Sequence, residues 1–217
     1  MIKGVIFDLD GVLVATDKLH YLAWKRLAQE LGITDFTEKD NVRQRGVSRM
    51  ASLQVVLEKT DRQYTAQEKA SLAEKKNEYY IESLTHLTEK AILPNAAETV
   101  AQLREKNILI AVGSVSKNAP IILQRTGLFP LIDEVSCGLN ITRSKPDPQV
   151  FLIAAEKLAL KPEECLVVED SDAGIQAAKA AGMKSLALGP AKKNPLADYH
   201  AVSLADSGID WNKIIAL

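Results

Sequence analysis

Val5-Ile-Phe-Asp8-Leu-Asp10-Gly11 is the stretch whose reading decides the fold. A short apolar run that stops at two carboxylates spaced i, i+2 reads as a strand buried in a parallel sheet. In open α/β folds ligands bind beyond the carboxyl ends of such strands. Asp8 and Asp10 are therefore expected at the rim of a site, with Gly11 free to turn the chain. Two acids this close repel each other unless a metal ion, a cationic side chain or a shared proton lies between them.

Downstream the pattern changes twice. Residues 17–85 read as almost entirely helical. Leu19, Leu22, Ala23, Leu27, Ala28 and Leu31 form one apolar face, Ser48 is placed to cap a helix carrying Leu53, Val56 and Leu57, and 66–84 is another helix with Leu72, Tyr79, Tyr80 and Ile81. From Pro94 strands and helices alternate: helix 96–106, strand 108–113, helix 118–126, strand 134–137, helix 148–159, strand 165–168, helix 172–181 and strand 184–188. Alternation of this kind argues for an α/β, doubly wound parallel (Rossmann-like) sheet core. The helical block interrupts it after the first strand, as an inserted small helical cap domain does. The expected division is 1–14 and 87–217 for the core and 15–86 for the cap, with hinges where the chain crosses between them. Sites in such proteins sit between the two bodies, and closure excludes water.

The whole chain sets wider bounds. Its 217 residues are 47% apolar and 25% charged, with 27 Lys plus Arg against 28 Asp plus Glu. This near balance gives no electrostatic reason to expect nucleic-acid or membrane binding. Cys137 and Cys165 lack metal-ligand spacing and read as buried free thiols. No charged leader precedes an apolar stretch, and no apolar run approaches the roughly 18 residues of a membrane span. A soluble cytoplasmic protein is expected.

Four segments lie at, or just beyond, predicted strand ends. Besides Asp8-Leu-Asp10 they are Gly113-Ser114-Val-Ser116-Lys117-Asn118, Ser144-Lys145-Pro-Asp-Pro148 and Val168-Glu169-Asp170-Ser171. The second offers backbone N–H groups and hydroxyls suited to a phosphate. In the third, prolines restrict the backbone and Lys145 projects a point charge. Each alone has an ordinary reading as a cap, a loop or a solvated side chain. A doubly wound sheet brings all four to one edge, and so many chemically equipped loops in one place are not expected by chance.

The order Asp-x-Asp-Gly, strand-end Ser, Lys-Pro-Asp-Pro and Glu-Asp-Ser-x-x-Gly resembles the haloacid dehalogenase superfamily of phosphotransferases, and the early insert resembles its members with a small helical cap. Within the superfamily, the cap and phosphate loop are similar to those of the β-phosphoglucomutase branch. That finer likeness rests on Thr16, His20 and Trp24, on Arg45-Gly46-Val47-Ser48-Arg49-Met-Ala-Ser52, on Lys76-Asn77 and on Ser114 to Asn118. The sequence departs from the branch at Ala15, where an acid is frequent, and at Arg45 and Val115.

The resemblance implies a role for each residue. Asp8 is the nucleophile that forms an aspartyl-phosphate; a carboxylate with a pKa near 3.9 is ionised at neutral pH without a base. Asp10 is the general acid–base. Asp8, Asp170, Glu169 and the Asp10 carbonyl hold Mg²⁺, while Lys145 and Ser114 orient the phosphoryl oxygens. His20 partners a sugar oxygen or Asp10 from the cap side, and Trp24 lines the pocket or fills the cap core. Thr16, Arg45 to Arg49, Ser52, Lys76 and Asn77 face the sugar and a distal phosphate, and Ser116, Lys117 and Asn118 grip a phosphate from the core side. The implied partner is a small-molecule hexose phosphate bound by a monomer, with β-glucose 1,6-bisphosphate as activator and intermediate. The implied reaction interconverts β-D-glucose 1-phosphate and glucose 6-phosphate. A sugar-phosphate or glycolate-type phosphatase shares every core residue. A phosphorylation-responsive binding module shares the acids, but needs no lid over its aspartate.

Overall fold

The computed structural model describes residues 1–216. Six strands form one all-parallel sheet: β1 (Gly4–Phe7), β2 (Leu109–Gly113), β3 (Glu134–Ser136), β4 (Cys165–Glu169), β5 (Lys184–Ala187) and β6 (Tyr199–His200), in the order β3-β2-β1-β4-β5-β6. β1 is central. The chain winds from it to β2 and β3 on one side, then crosses to β4, β5 and β6 on the other, so the switch point lies at the ends of β1 and β4.

Both faces of the sheet are covered, which is why β1 reads as a continuous apolar run. Val5, Phe7, Val112 and Val168 point to the face packed by α5 (Ala96–Glu105), α6 (Ala119–Thr126) and α9 (Trp211–Ala216). Ile6, Ala111 and Val167 point the other way, against Val150, Phe151 and Ala154 of α7 (Gln149–Lys157) and Ala177 and Ala178 of α8 (Asp172–Ala180). Phe7 pairs with Val112 and with Val168, so the next residues on all three strands, 8, 113 and 169, lie level at one edge.

Between β1 and α5 come α1 (Asp17–Glu30), α2 (Glu38–Val42), α3 (Arg49–Leu57) and α4 (Ala66–Leu84). They share their own core, in which Trp24, Leu27, Phe36, Leu53, Val56 and Ala73 are all buried. Each large apolar side chain buried there contributes about 1.5–3 kcal/mol. The insert thus has its own cohesion. The chain leaves and returns through paired backbone, with Ala15 N donating to Ala91 O (2.8 Å) and Leu93 N to Leu13 O (2.9 Å).

Several expectations need correction. The block 17–85 is less continuously helical than its composition suggests, because loops at 31–37, 43–48 and 58–65 separate the helices. Leu22 and Ile81 are exposed at 48% and 39%, while Trp24 and Tyr80 take the buried positions beside them. β6 and α9 have no counterpart in the pattern reading. Ser48 does cap α3, its hydroxyl accepting from Ala51 N (3.1 Å). Cys137 and Cys165 are buried and free, and burial pushes the Cys165 thiol up to about 12. Among the described residues, no helix is long and apolar enough to cross a membrane.

Candidate active site

The carboxylates at the strand ends meet one amine. Lys145 Nζ, its side chain fully buried, donates to Asp8 Oδ1 (2.6 Å) and to Glu169 Oε2 (2.7 Å) and lies 4.6 Å from the centre of the Phe151 ring. Burial works against the Lys145 charge, but the two carboxylates outweigh it and hold the amine above its ordinary range. The other Glu169 oxygen is pinned by Ser171 Oγ (2.7 Å) and by the Ser171 and Asp170 amides (3.0 and 3.2 Å).

Asp8, Glu169 and Asp170 each place a carboxylate oxygen within 4.8 Å of the other two. Burial, then repulsion from Glu169, raises Asp8 well above the usual carboxylate range and pushes Asp170 up to about 7. Were all three carboxylates ionised, one ammonium would leave an excess of two negative charges, and burial answers that excess by favouring protonation. That all-oxygen donor set fits a hard divalent cation. Gly11 helps to form the cluster: its φ is +90°, and a Cβ there would collide with the Asp170 carboxylate.

Asp10 stands apart from the metal-type cluster. Its Oδ1 is shielded from solvent and has no hydrogen-bond partner, and burial pushes the group up to about 7, with Lys76 opposing and Asp17 adding to the rise. An acceptor held near neutrality and short of a donor is suited to a substrate hydroxyl.

A second set of polar groups comes from the inserted helices and the loop after β2. Ser114 Oγ accepts from Ser116 N (3.1 Å) and Ser116 Oγ from Asn118 N (3.2 Å). Asn118 Nδ2 and Arg49 Nη2 both donate to Asn77 Oδ1, each at 2.9 Å, joining the loop to α4 and α3. Lys76 Nζ lies 2.8 Å from His20 Nδ1, and the imidazole stacks on Tyr80 with centroids 3.9 Å apart. Burial, aided by the nearby cations, lowers His20 well below its usual value. A neutral ring with its proton on Nε2 accepts a hydrogen bond from Lys76 at Nδ1. Burial and Arg49 likewise push Lys76 down to about 7.

Both sets open on one cavity of about 460 Å³, lined by the side chains of Asp8, Asp10, His20, Trp24, Ser52, Lys76, Asn77, Glu169 and Asp170, by Arg45 to Arg49 and by Ser114 to Asn118. Trp24 serves two ends, lining the cavity while filling the helical core. Two expected residues do not line it. Thr16 is fully buried at the start of α1, and Lys145 lies behind Asp8 and Glu169 and acts through them. Gly46 brings the inserted loop against Ser171, just past the end of β4. Its φ is +70°, and a Cβ there would lie 2.6 Å from Ser171 Oγ.

Other cavity residues were not singled out from sequence. Asp17 accepts from Arg45 Nη2 (2.8 Å) and Asn41 Nδ2 (3.1 Å), Gln44 Nε2 donates to Ser52 O (2.8 Å), and Glu74 pairs with Arg49. Each is a charged or amide residue on a helix or loop, identical in pattern to a solvated one. Only the packing of the helices reveals them.

The sequence pattern of the haloacid dehalogenase-like hydrolases matches residues 2–182, which is most of the chain. The chain belongs to this family. Among the relatives of this haloacid dehalogenase-like chain, a β-phosphoglucomutase of Bacillus subtilis is 39% identical over 189 residues, covering 86% of this chain and 83% of the relative. A fructose-1-phosphate phosphatase of Escherichia coli is 30% identical, with 84% and 94% covered. The crystal structure of a β-phosphoglucomutase from Clostridium difficile superposes with a TM-score of 0.90 at 34% identity, covering 99% of this chain and 96% of that one.

Proposed function

We propose that this chain is a Mg²⁺-dependent β-phosphoglucomutase that interconverts β-D-glucose 1-phosphate and glucose 6-phosphate. The observation that carries the reading is the pairing, in one cavity, of the carboxylates that Lys145 backs with a second group of donors suited to phosphate, Arg49, Ser116, Lys117 and Asn118. One phosphate needs one such grip; a sugar phosphorylated at both ends needs two. The relatives named β-phosphoglucomutase support the same choice. The cap is assigned to 15–86, inserted into a core of 1–14 and 87–217.

In this reading phosphorylated Asp8 donates its phosphoryl group. A sugar hydroxyl attacks phosphorus, the bond from phosphorus to the Asp8 oxygen breaks, and Asp10 takes the hydroxyl proton. The β-glucose 1,6-bisphosphate so formed turns over in the cavity, which explains the second grip. Its other phosphoryl group passes to Asp8 while Asp10 returns the proton to the leaving oxygen. Lys145 opposes the rise that burial and Glu169 impose on Asp8 and aligns its carboxylate, and Ser114 orients a phosphoryl oxygen. Magnesium held by Asp8, Asp170, Glu169 and the Asp10 carbonyl would supply the positive charge that lets two anions approach. The cap residues around the cavity exclude water, which would otherwise accept the phosphoryl group.

The likeness to a sugar-phosphate phosphatase keeps hydrolysis as the second reading. A coupled assay with anomerically pure β-glucose 1-phosphate, Mg²⁺ and a trace of the bisphosphate, run beside a phosphate-release assay, separates the two. Isomerisation well ahead of phosphate release is expected. Fast phosphate release without isomerisation overturns the mutase reading in favour of the phosphatase.

A further inference from the structure

Glu74 is the one acid on the α4 wall of the cavity, and it faces the guanidinium that the proposed function assigns to the non-reacting phosphate. Glu74 Oε2 accepts from Arg49 Nη1 (3.0 Å), and its other oxygen accepts from Asn77 Nδ2 (3.2 Å). The second Arg49 nitrogen is held by Asn77 Oδ1 (2.9 Å), the same oxygen that takes Asn118 Nδ2 from the core loop (2.9 Å). Both terminal nitrogens of Arg49 are thus engaged, one by a carboxylate.

A phosphate and a carboxylate present the same kind of paired anionic oxygens to an arginine fork. We infer that Glu74 is a built-in anion for Arg49: it holds the guanidinium in the phosphate-accepting position, and the substrate's distal phosphate must displace it to bind. Arg49 is 21% exposed and Glu74 is 63% exposed at the side chain, so the carboxylate has water to swing into when displaced. An ion pair this open is weak, and a doubly charged phosphate outcompetes it. The exchange also transmits to the core. Arg49 shares the Asn77 Oδ1 oxygen with Asn118, at the end of the loop that carries Ser114, so a change in the charge on the guanidinium is felt at that loop. Glu74 is a specificity-determining residue in this scheme: it sets the threshold of negative charge an incoming ligand must bring.

This inference rests on the proposed function, and its test keeps the two apart. The dissociation constant of glucose 6-phosphate is measured by calorimetry, with Mg²⁺ present, for the wild type, Glu74→Gln, Arg49→Ala and the double variant. Glu74→Gln keeps the side chain's shape and removes its charge. It is expected to bind about two- to fivefold tighter than wild type, the range an exposed ion pair allows. On the Arg49→Ala background the same change should have no effect. Equal affinities for wild type and Glu74→Gln, or weaker binding by the variant, overturn the inference, since Glu74 would then be neutral or purely supportive. The same gain with and without Arg49 also overturns it, because the effect would be general repulsion. If the wild type fails to bind any sugar phosphate while its fold and melting temperature are normal, it is the functional reading that falls.

Discussion

Replacing Lys145 with methionine isolates one charge in the most buried part of the site. Methionine keeps most of the side chain's length and its contact with the Phe151 ring, but removes the donors at 2.6 and 2.7 Å from Asp8 and Glu169. Breaking one side of a buried, hydrogen-bonded ion pair costs about 3–5 kcal/mol. In a chain this size each kcal/mol moves the melting temperature by about 2–4 °C, so Lys145→Met should melt roughly 6–20 °C below wild type at pH 7.5 in EDTA. The stranded carboxylates can escape that cost by taking up a proton. Each pH unit downward eases protonation by about 1.4 kcal/mol per group, so at pH 5.5 the gap should shrink by half or more. Adding Asp8→Asn to Lys145→Met removes one of the stranded charges and should recover part of the loss. Thermal unfolding of the three proteins at both pH values reads this directly. A gap of the same size at pH 5.5 and 7.5, with no recovery in the double variant, would mean that Lys145 stabilises by packing alone, and the electrostatic account of the cluster would fail.

Two further outcomes follow from the site geometry. Gly46→Ala should raise the KM for sugar phosphate about tenfold or more, because the new methyl falls 2.6 Å from Ser171 Oγ and blocks the loop's approach; Gly32→Ala, also at positive φ but with open space around it, pays only the backbone strain of about 1–2 kcal/mol and should leave KM unchanged. Matching kinetics for the two variants would count against the close approach. The second outcome concerns pH. Asp10 and Asp170 are pushed up to about 7 by burial, so the folded chain keeps protons that the unfolded chain releases above about pH 4. Stability in EDTA should therefore fall as pH rises from 5 to 7. Lys76, pushed down to about 7, works the other way above neutrality, where stability recovers as pH rises further. Saturating Mg²⁺ should raise the melting temperature more at pH 7.5 than at pH 5; an equal rise at both would disconnect the metal from these carboxylates.

The strand-end motifs were legible in the sequence because their chemistry and their position coincide. An apolar run buried on both faces ends where the sheet ends, so the acids that stop it, Asp8 and Glu169, stand at the sheet's edge. The parts that escaped reading depend on how separate pieces meet. Glu74 and Asp17 look like ordinary helical acids until α3 and the loop before it bring Arg49 and Arg45 against them. Thr16 belongs to a cavity motif by neighbourhood in sequence, yet the turn into α1 buries it. Leu22 and Ile81 fit an apolar stripe, but the stripe is wider than the contact it makes, and both stay in water. β6, only two residues long, and α9 at the chain's end are too short for any periodicity to register.

The neck joining the insert to the sheet has a practical meaning. Residues 13–15 and 91–93 run side by side with their amides and carbonyls already matched, and Val14 bridges to Ile92. A helical block from another member of the family could be stitched in at that seam, provided it restores the patch where Ala23, Tyr80 and Leu84 join the core of the sheet. The sheet would keep its carboxylates and lysine, and the transplanted helices would bring their own lining to the cavity. Exchange at this one seam gives a route by which new substrates can be acquired while the reacting groups stay as they are.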